Sequence, residues 1–506
     1  MRRATVTQRF NSRLHVLAAF AGVMSAVSGC AVGPAYHAPA PVDVATYTRE
    51  PQPQGAPAAS GPGGSAQTFL MQSGASRGGS AQRTSAAASQ GWWHGLGSPT
   101  LDQMVQQALD NSPTLSQARA KLQQAQQDYL AQSGATRWPQ ADLTVDATRE
   151  KVDPAAFGVG SFIGNRSVPP FTLYSAKVSV SYALDLFGAN RRALEGLAAQ
   201  VDYERFELDA ARLSLIGNVV TTAVRQASLR KQIALTESLL ADQDKQLDIT
   251  RRRYDAGGVA QADVLSQRSQ VAQTRASLAP LRAQLAQAEH QLSVYLGQPP
   301  AGFVPDAQAL DLDALVLPTE ISLAVPASLA RRRPDIQASE ALLHQASANV
   351  GVATANLYPQ LTLSAAAGPE GLKLSDMTNV WSVGAGLAQP LFHGGQLRAR
   401  KRSAEAAYQA SLALYQQTVL QGLQQVADTL RALEQDAVEL QSRDQAQHDA
   451  EDSAHIAAGR YAAGGISQLA FLDTQRQQMQ TSLDRVKVEA QRFTDTAALY
   501  VALGAR

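Results

Sequence analysis

The stretch Val178-Ser179-Val180-Ser181-Tyr182-Ala183-Leu184-Asp185-Leu186-Phe187-Gly188 alternates apolar and polar side chains and then changes period. Period two puts Val178, Val180, Tyr182, Leu184 and Leu186 on one face of a strand and the small polar residues on the other. After Gly188 an Ala/Leu/Gln/Arg pattern runs to Tyr254 without a proline and with few glycines. At about 1.5 Å per residue, about 65 residues make a helix of roughly 100 Å. Gly257-Gly258 breaks it, where glycine permits a left-handed residue at the reversal, and a return helix runs to about Leu296. Helices this long exceed globular norms and imply coiled-coil packing.

The same grammar recurs. Asp185-Leu186-Phe187-Gly188 matches Pro390-Leu391-Phe392-His393, and Arg253-Tyr254-Asp255-Ala256-Gly257-Gly258 matches Arg460-Tyr461-Ala462-Ala463-Gly464-Gly465. Upstream, Trp138-Pro139-Gln140 matches Tyr358-Pro359-Gln360, and Asn111-Ser112-Pro113-Thr114-Leu115 matches Arg332-Arg333-Pro334-Asp335-Ile336. Four ordered matches at offsets of 205 to 221 residues mark a duplicated unit far longer than a solenoid repeat. Each unit reads helix, strand, loop, strand, very long helix, Gly-Gly turn, long helix. The opening helices run from Pro113 to Arg137 and from Pro334 to Leu357, each started by a proline whose missing N–H costs nothing there. Pro139 and Pro359 stop them.

The other strands alternate likewise: Ala141, Leu143, Val145 and Ala147; Leu361, Leu363 and Ala365; Trp381, Val383, Ala385 and Leu387. Their lengths approach the ~9–11 residues of a tilted transmembrane strand, although a half-buried soluble sheet gives the same alternation. The loops 151–171 and 369–379 carry Gly, Pro, Asn and Ser, as exposed outer loops would. Four strands cannot close a barrel, lipid tolerates no open sheet edge, and the smallest outer-membrane barrels have about eight strands. If these strands enter lipid, several chains must pool them; three chains give twelve.

The amino terminus is an address. Arg2, Arg3, Arg9 and Arg13 precede an apolar run from Val16 to Val27, which ends in Val27-Ser28-Gly29-Cys30. That pattern reads as a signal peptide over 1–29 with a lipoprotein cleavage site, Cys30 receiving diacylglycerol and further acylation such as palmitate. An ordinary signal peptide with an incidental cysteine is the alternative. Residues 30–91 then read as a lipidated segment and a flexible low-complexity tether, because Gly, Ser, Ala, Gln and Pro bury too little surface to offset ordering entropy. Trp92-Trp93 opens the folded part as a packing anchor. The expected organisation is a first repeat over 92–300, a linker over 301–325 and a second repeat over 326–506.

Composition narrows the function. Lys and Arg number 44 against 43 Asp and Glu, so no basic face invites nucleic acid. One cysteine excludes a disulfide framework and any Cys-rich zinc or iron–sulfur site. Roughly a tenth of the chain is Gln, a bias that suits long, weakly charged helices. No apolar stretch reaches the ~18–20 residues of a spanning helix. His448 and His455 lie seven apart, not the four that put two ligands on adjacent turns, and no metal site or cofactor is expected. The six methionines are unclustered, which argues against a copper- or silver-dedicated protein. No nucleophile–base cluster or phosphate loop points to an enzyme.

Together, the lipobox followed by Cys30-Ala31-Val32-Gly33-Pro34-Ala35-Tyr36, the Arg331-Arg332-Arg333-Pro334-Asp335-Ile336 motif and the paired Arg-Tyr-x-x-Gly-Gly turns resemble the TolC-type outer membrane efflux proteins. The lipid-anchored branch that serves RND multidrug pumps is the best match. The resemblance covers about residues 30–45 and 92–503; the 46–91 segment is longer than the family's usual stretch. It implies a mixed α/β membrane protein: a trimeric twelve-stranded β-barrel, four strands per chain, continuous with a long α-helical coiled-coil tunnel. It further implies a homotrimer anchored in outer membrane lipid of a Gram-negative bacterium, with a large periplasmic portion docking a periplasmic membrane-fusion adaptor and an inner-membrane RND-type transporter. The duct would pass drugs or other toxic small molecules outward, specificity lying with the pump. A duct for type I protein secretion and a structural envelope coiled-coil lipoprotein are the alternatives; the lipid anchor and Arg-Arg-Pro motif disfavour the first and the amphipathic strands the second.

In that family the helix-hairpin tips close the tunnel and meet the adaptor. The matching residues are Arg253, Tyr254, Gly257, Gly258, Val259 and Leu265, and Arg460, Tyr461, Gly464, Gly465, Ile466, Leu472 and Asp473. Closure through inter-helix ion pairs would make Arg460 and Asp473 candidate partners. Turn chemistry with a solvated charged end is the plainer reading of the same residues, and Arg331-Arg332-Arg333 reads as a helix-start linker with packing contacts before it reads as an anion site.

Overall fold

The computed structural model describes residues 32–40, 44, 46–49, 54–56, 64–71, 91–151, 169–304 and 309–505. Cys30, the signal segment and most of the 151–171 loop lie outside the described residues. In chain order the elements are β1 (Gly55–Ala56), β2 (Gln67–Met71), α1 (Pro99–Asn111), α2 (Pro113–Arg137), β3 (Gln140–Glu150), β4 (Phe171–Leu184), α3 (Ala189–Asp255), α4 (Gln261–Tyr295), β5 (Glu320–Leu323), α5 (Pro334–Ala355), β6 (Gln360–Gly371), β7 (Thr378–Ala388), α6 (Gln396–Ala462) and α7 (Gln468–Ala502). No described helix is long and apolar enough to cross a membrane. The chain divides into two compact units. One comprises the residues to Ala38, Leu122–Tyr203 and Glu340–Leu414; the other comprises Pro39–Lys121, Glu204–Ser339 and Tyr415–Arg506.

The first unit holds an antiparallel sheet in the order β3-β4-β6-β7. Its registers align the expected apolar residues into continuous rows. Leu143 faces Val178, Val178 faces Ala367, and Ala367 faces Trp381. Leu184 faces Leu361, which faces Leu387. The other face carries Asp142 opposite Ser179, Ser181 opposite Ser364, and a Lys177–Glu370 ion pair. Because side chains alternate, this register is the one that keeps every strand's apolar set on one side. That side is bare in the single chain: Trp381 and Val383 are 79% and 76% exposed. Such side chains gain about 1.5–3 kcal/mol each when removed from water. The free edges are β3 and β7.

The same unit grips the chain near the expected lipid site. Val32 N–H donates to Phe187 O at 3.1 Å, and the Tyr36 ring stacks on His344 at 4.2 Å while its hydroxyl donates to Glu340 at 3.3 Å. A Cβ on Gly33 would lie 2.6 Å from Gly351 Cα, so the two backbones meet at glycine.

The second unit is helical with a small sheet, and it corrects the reading of 51–91 as a tether throughout. β2 pairs parallel with β5, Phe69 opposite Ile321, inside the stretch expected as a linker. Phe69, Ile321 and Leu323 join Leu329, Val426, Leu430, Leu433 and Leu499 in a buried cluster. Arg492 donates to Ser65 O at 2.7 Å, and Gln67 Nε2 to Thr496 Oγ1 at 3.3 Å. Composition misled here because five residues, Gln67-Thr68-Phe69-Leu70-Met71, suffice for a strand whose partner lies some 250 residues away in sequence. Trp92 is buried and stacks on Tyr500 at 5.2 Å, as a packing anchor should. α1, capped by Ser98 Oγ accepting from Leu101 N–H, was not foreseen; it buries Leu101, Met104, Val105 and Ala108 at helical spacing.

Arg333 is a packing residue. Buried at the start of α5, it forks onto Asp335 at 3.0 and 2.7 Å, and donates to Gln425 Oε1 at 2.7 Å and to Ala502 O at 2.9 Å. Three elements are thus tied by one guanidinium, whose planar fork suits bidentate pairing. Elsewhere on the long helices lies a further ionic set, in which Arg485 binds Asp444 at 2.7 Å and the fully buried Glu489 at 3.0 Å. Burial and the neighbouring Asp495 carboxyl push Asp436 up to about 8.

Phe69→Ala should destabilise the protein by about 3–5 kcal/mol, with limited proteolysis cutting near 64–71. Leu70→Ala, at a side chain on the solvent face of β2, should leave the cleavage pattern unchanged. Equal protease sensitivity of the two variants would restore the tether reading.

Candidate functional site

The tip residues all lie in the helical unit, at two turns of like construction. In the first, Gly258 N–H donates to Arg253 O at 2.7 Å and Gly257 N–H to Tyr254 O at 2.8 Å. In the second, Gly465 N–H donates to Arg460 O at 2.8 Å and Gly464 N–H to Tyr461 O at 3.0 Å. These paired bonds satisfy carbonyls that a helix end leaves without intrahelical donors. Gly257 and Gly464 have φ of 77° and 75°. A Cβ on either would meet nothing within 4 Å, so glycine is needed for the left-handed backbone and not for space. The return helices start differently. Asp263 Oδ2 accepts from Ala260 N–H at 3.1 Å in the first turn, and Ser467 Oγ from Ala470 N–H at 3.2 Å in the second.

The structure joins the two turns through side chains. Tyr461 stacks on Phe471 at 4.9 Å with the rings 1° from parallel, and the Arg253 guanidinium lies 5.7 Å from the Tyr461 ring centroid. The Tyr461 hydroxyl donates to Gln468 Oε1 at 2.7 Å. Gln468 Nε2 in turn donates to Gln267 Oε1 at 3.1 Å, with Asp263 O 3.5 Å away. Both glutamines are buried, so each relies on the other in place of water. Leu472 is buried, Val259 and Ile466 are half-buried, and Tyr254 and Leu265 are exposed.

Within the chain Arg460 and Asp473 do not pair. Asp473 binds Arg476 three residues on, at 2.6 Å, and both side chains are more than half exposed. Among the described residues no ion pair is formed by Arg460. Aspartate and arginine at i and i+3 are neighbours on the same helix face, so the local partner wins. Phe471, Gln468 and Gln267 were missed by sequence reading. The repeat holds the available signal: Phe471 and Gln468 stand where the first repeat has Val264 and Gln261, and only the second tip gains an aromatic partner for its tyrosine. Among the described residues no group of three or more His, Cys, Asp or Glu could hold a metal.

Comparison with known proteins decides the family. The model of a family described as "Outer membrane efflux protein" matches residues 104–298 and 325–505. The chain belongs to the outer membrane efflux proteins. It is 31% identical over 426 residues to the pyoverdine export outer membrane protein OpmQ of Pseudomonas putida, covering 84% of this chain and 90% of that protein. It is 30% identical over 433 residues to the toluene efflux pump outer membrane protein TtgC of the same species, covering 83% and 86%. Among solved structures it is similar to the outer-membrane channel OprN, with a TM-score of 0.79, 28% identity and coverage of 94% and 99%. The fold is accordingly that of the TolC-type channels, and this outer membrane efflux protein is a duct and not an enzyme.

Tyr461→Ala removes a stack, a cation–π contact and a hydrogen bond to a buried amide, together about 1–3 kcal/mol. Amide exchange across 461–471 should therefore quicken by about fivefold to a hundredfold. Asp473→Ala removes an exposed pair of about 0–1 kcal/mol and should change it less than about fivefold. The reverse ranking would return the tip to ionic control.

Proposed function

We propose that three copies of this outer membrane efflux protein form a duct through which an inner-membrane RND-type transporter and a periplasmic membrane-fusion adaptor discharge small toxic molecules. The bare apolar face on an antiparallel sheet with two free edges carries this reading. A single chain can neither bury that face nor pair those edges in lipid, whereas twelve pooled strands do both. The names of OpmQ and TtgC, which speak of pyoverdine export and toluene efflux, support small molecules rather than folded proteins as cargo.

The hairpin tips act in this proposal as the gate and the adaptor-docking end. Val259, Leu265 and Ile466 offer side chains for the adaptor, and the Tyr461–Gln468–Gln267 chain holds the closed form. Its bonds are few and individually weak, which suits a closure that a partner must undo. In planar bilayers, wild-type protein should conduct poorly, and Tyr461→Ala and Gln468→Ala should raise single-channel conductance. Asp473→Ala should stay near wild type. Unchanged conductance in the first two variants, with assembly intact, would place the constriction elsewhere.

Cys30 is proposed as the lipid anchor, with Ala31 after it permitting outer-membrane export. Cys30→Ser should abolish incorporation of radiolabelled lipid and leave the precursor misprocessed. Partial efflux should survive, because an assembled barrel holds the membrane by itself and acyl chains only add to it. Normal labelling of that variant would end the lipoprotein reading.

A further inference from the structure

Just past the expected lipid site the chain runs as a strap beside a cleft. Residues 33–37 line one side of an open cleft of about 470 Å³, within the ~300–1,000 Å³ of small-molecule sites. Ser347, Val350 and Thr354 line it from α5, and Lys401, Glu405 and Tyr408 from α6, each set spaced to share one helix face. All of these residues belong to the first unit. The strap is held on both flanks, where Val32 N–H donates to Phe187 O and Tyr36 stacks on His344.

Two opposite charges line this cleft without holding each other firmly. Lys401 Nζ lies 3.6 Å from Glu405 Oε1, too far for a hydrogen bond, and the side chains are 38% and 48% exposed. Lysine before glutamate is also the weaker order for such a pair on a helix. The duplication shows that the fold does not require these charges. At the matching positions of the first repeat, 205 residues earlier, stand Gly196 and Gln200, and only the tyrosine recurs, as Tyr203. A Cβ on Gly196 would meet Ala348 Cβ at 3.6 Å, so α3 packs on α5 there, where α6 leaves a cleft.

We propose that the cleft holds the headgroup of one membrane phospholipid that joins a phosphate to a primary ammonium, the phosphate on Lys401 and the ammonium on Glu405. This inference rests on the lipid anchor at Cys30 proposed above. That anchor puts the cleft at the membrane surface, because the three residues from Cys30 to Gly33 reach at most about 10–11 Å. The polarity fits as well. In such a lipid the phosphate adjoins the glycerol and the ammonium lies outermost. Along the chain out of β7, Lys401 comes before Glu405 by about 6 Å of helix, so the cation is the charge nearer the sheet. Each charge then exchanges a long pair for a charge-assisted hydrogen bond. Phosphatidylglycerol offers no cation to Glu405, and the trimethylated nitrogen of phosphatidylcholine has no proton to donate.

Native mass spectrometry of the mature full-length protein tests the site, after lipid is stripped in detergent and replaced by equal phosphatidylethanolamine, phosphatidylcholine and phosphatidylglycerol in mixed micelles. The wild type should retain one phosphatidylethanolamine per chain, about tenfold in preference to either competitor. Glu405→Gln should erase the preference over phosphatidylglycerol. Lys401→Gln should lower retention of phosphatidylethanolamine about tenfold, and Lys401→Arg should restore it. Lys401→Glu combined with Glu405→Lys keeps the pair along α6, in its better order, and reverses its polarity. That double variant should fold normally and lose the preference. Wild-type preference in the double variant, or equal retention of all three lipids by the wild type, overturns the proposal. Soluble glycerophosphoethanolamine should not displace the lipid at equal concentration; displacement would make the ligand a free phosphate ester and overturn the lipid as its source. The denatured mass of the same sample reads acylation of Cys30 separately. An unacylated chain ends the anchor reading, whereas an acylated chain without selective retention ends only the headgroup site.

Discussion

A strand in lipid has no water to satisfy its backbone, and this chain brings only four. The sheet β3-β4-β6-β7 has one face with apolar rows through its middle, exposed at Leu143, Val145, Trp381, Val383 and Leu387, and two edges that pair with no other strand among the described residues. Neither feature is tolerable in a monomer: the face is a solubility liability and the edges are templates for pairing. Both become assets when further copies supply the missing strands. Inside the chain the two repeats join at the β4–β6 pairing, with Phe187 stacked on Tyr358 just beyond it.

The helical unit answers to a different requirement. Its long helices carry glutamine, threonine and paired charges, and many of these are buried in the helical packing: Gln226, Gln232, Thr236, Gln243, Gln267, Glu489 and Arg492. Burial of polar groups is costly unless each finds a partner. Arg333 with Asp335, Gln425 and Ala502, and Arg485 with Asp444 and Glu489, meet that condition away from the tips. At the tips the bonds are fewer. One stack, one cation–π contact and a two-glutamine bridge hold together turns whose glycines carry the reversal. Stability is thus graded along each hairpin, with the fewest side-chain bonds at the tips.

Much of this was legible in the sequence, for physical reasons that differ by element. The four strands announced themselves by alternation, and the 67-residue helices α3 and α6 by their uninterrupted helix formers. The Gly-Gly turns, Pro113 and Pro334 mark boundaries because proline and glycine restrict or free the backbone at one position. Strand β2 was not legible: five residues inside a Gly/Ser/Gln-rich segment owe their order to β5 and to Arg492, both far away in sequence. Within the chain Asp473 takes the local Arg476, which a residue list does not rank against a distant arginine. Phe471 and Gln468 look like ordinary helix residues until the neighbouring turn is set beside them. Periodicity reports faces and turns; side-chain partnerships across the repeat need the fold.

The claim that matters most is that this sheet exists to be shared. Native mass spectrometry of the detergent-extracted protein, paired with gel mobility before and after heating, tests it directly. The account predicts a species of three chains that migrates compactly when unheated and falls to single chains when boiled. A folded, stable monomer, with the apolar face covered by detergent alone and no shift on heating, would contradict it.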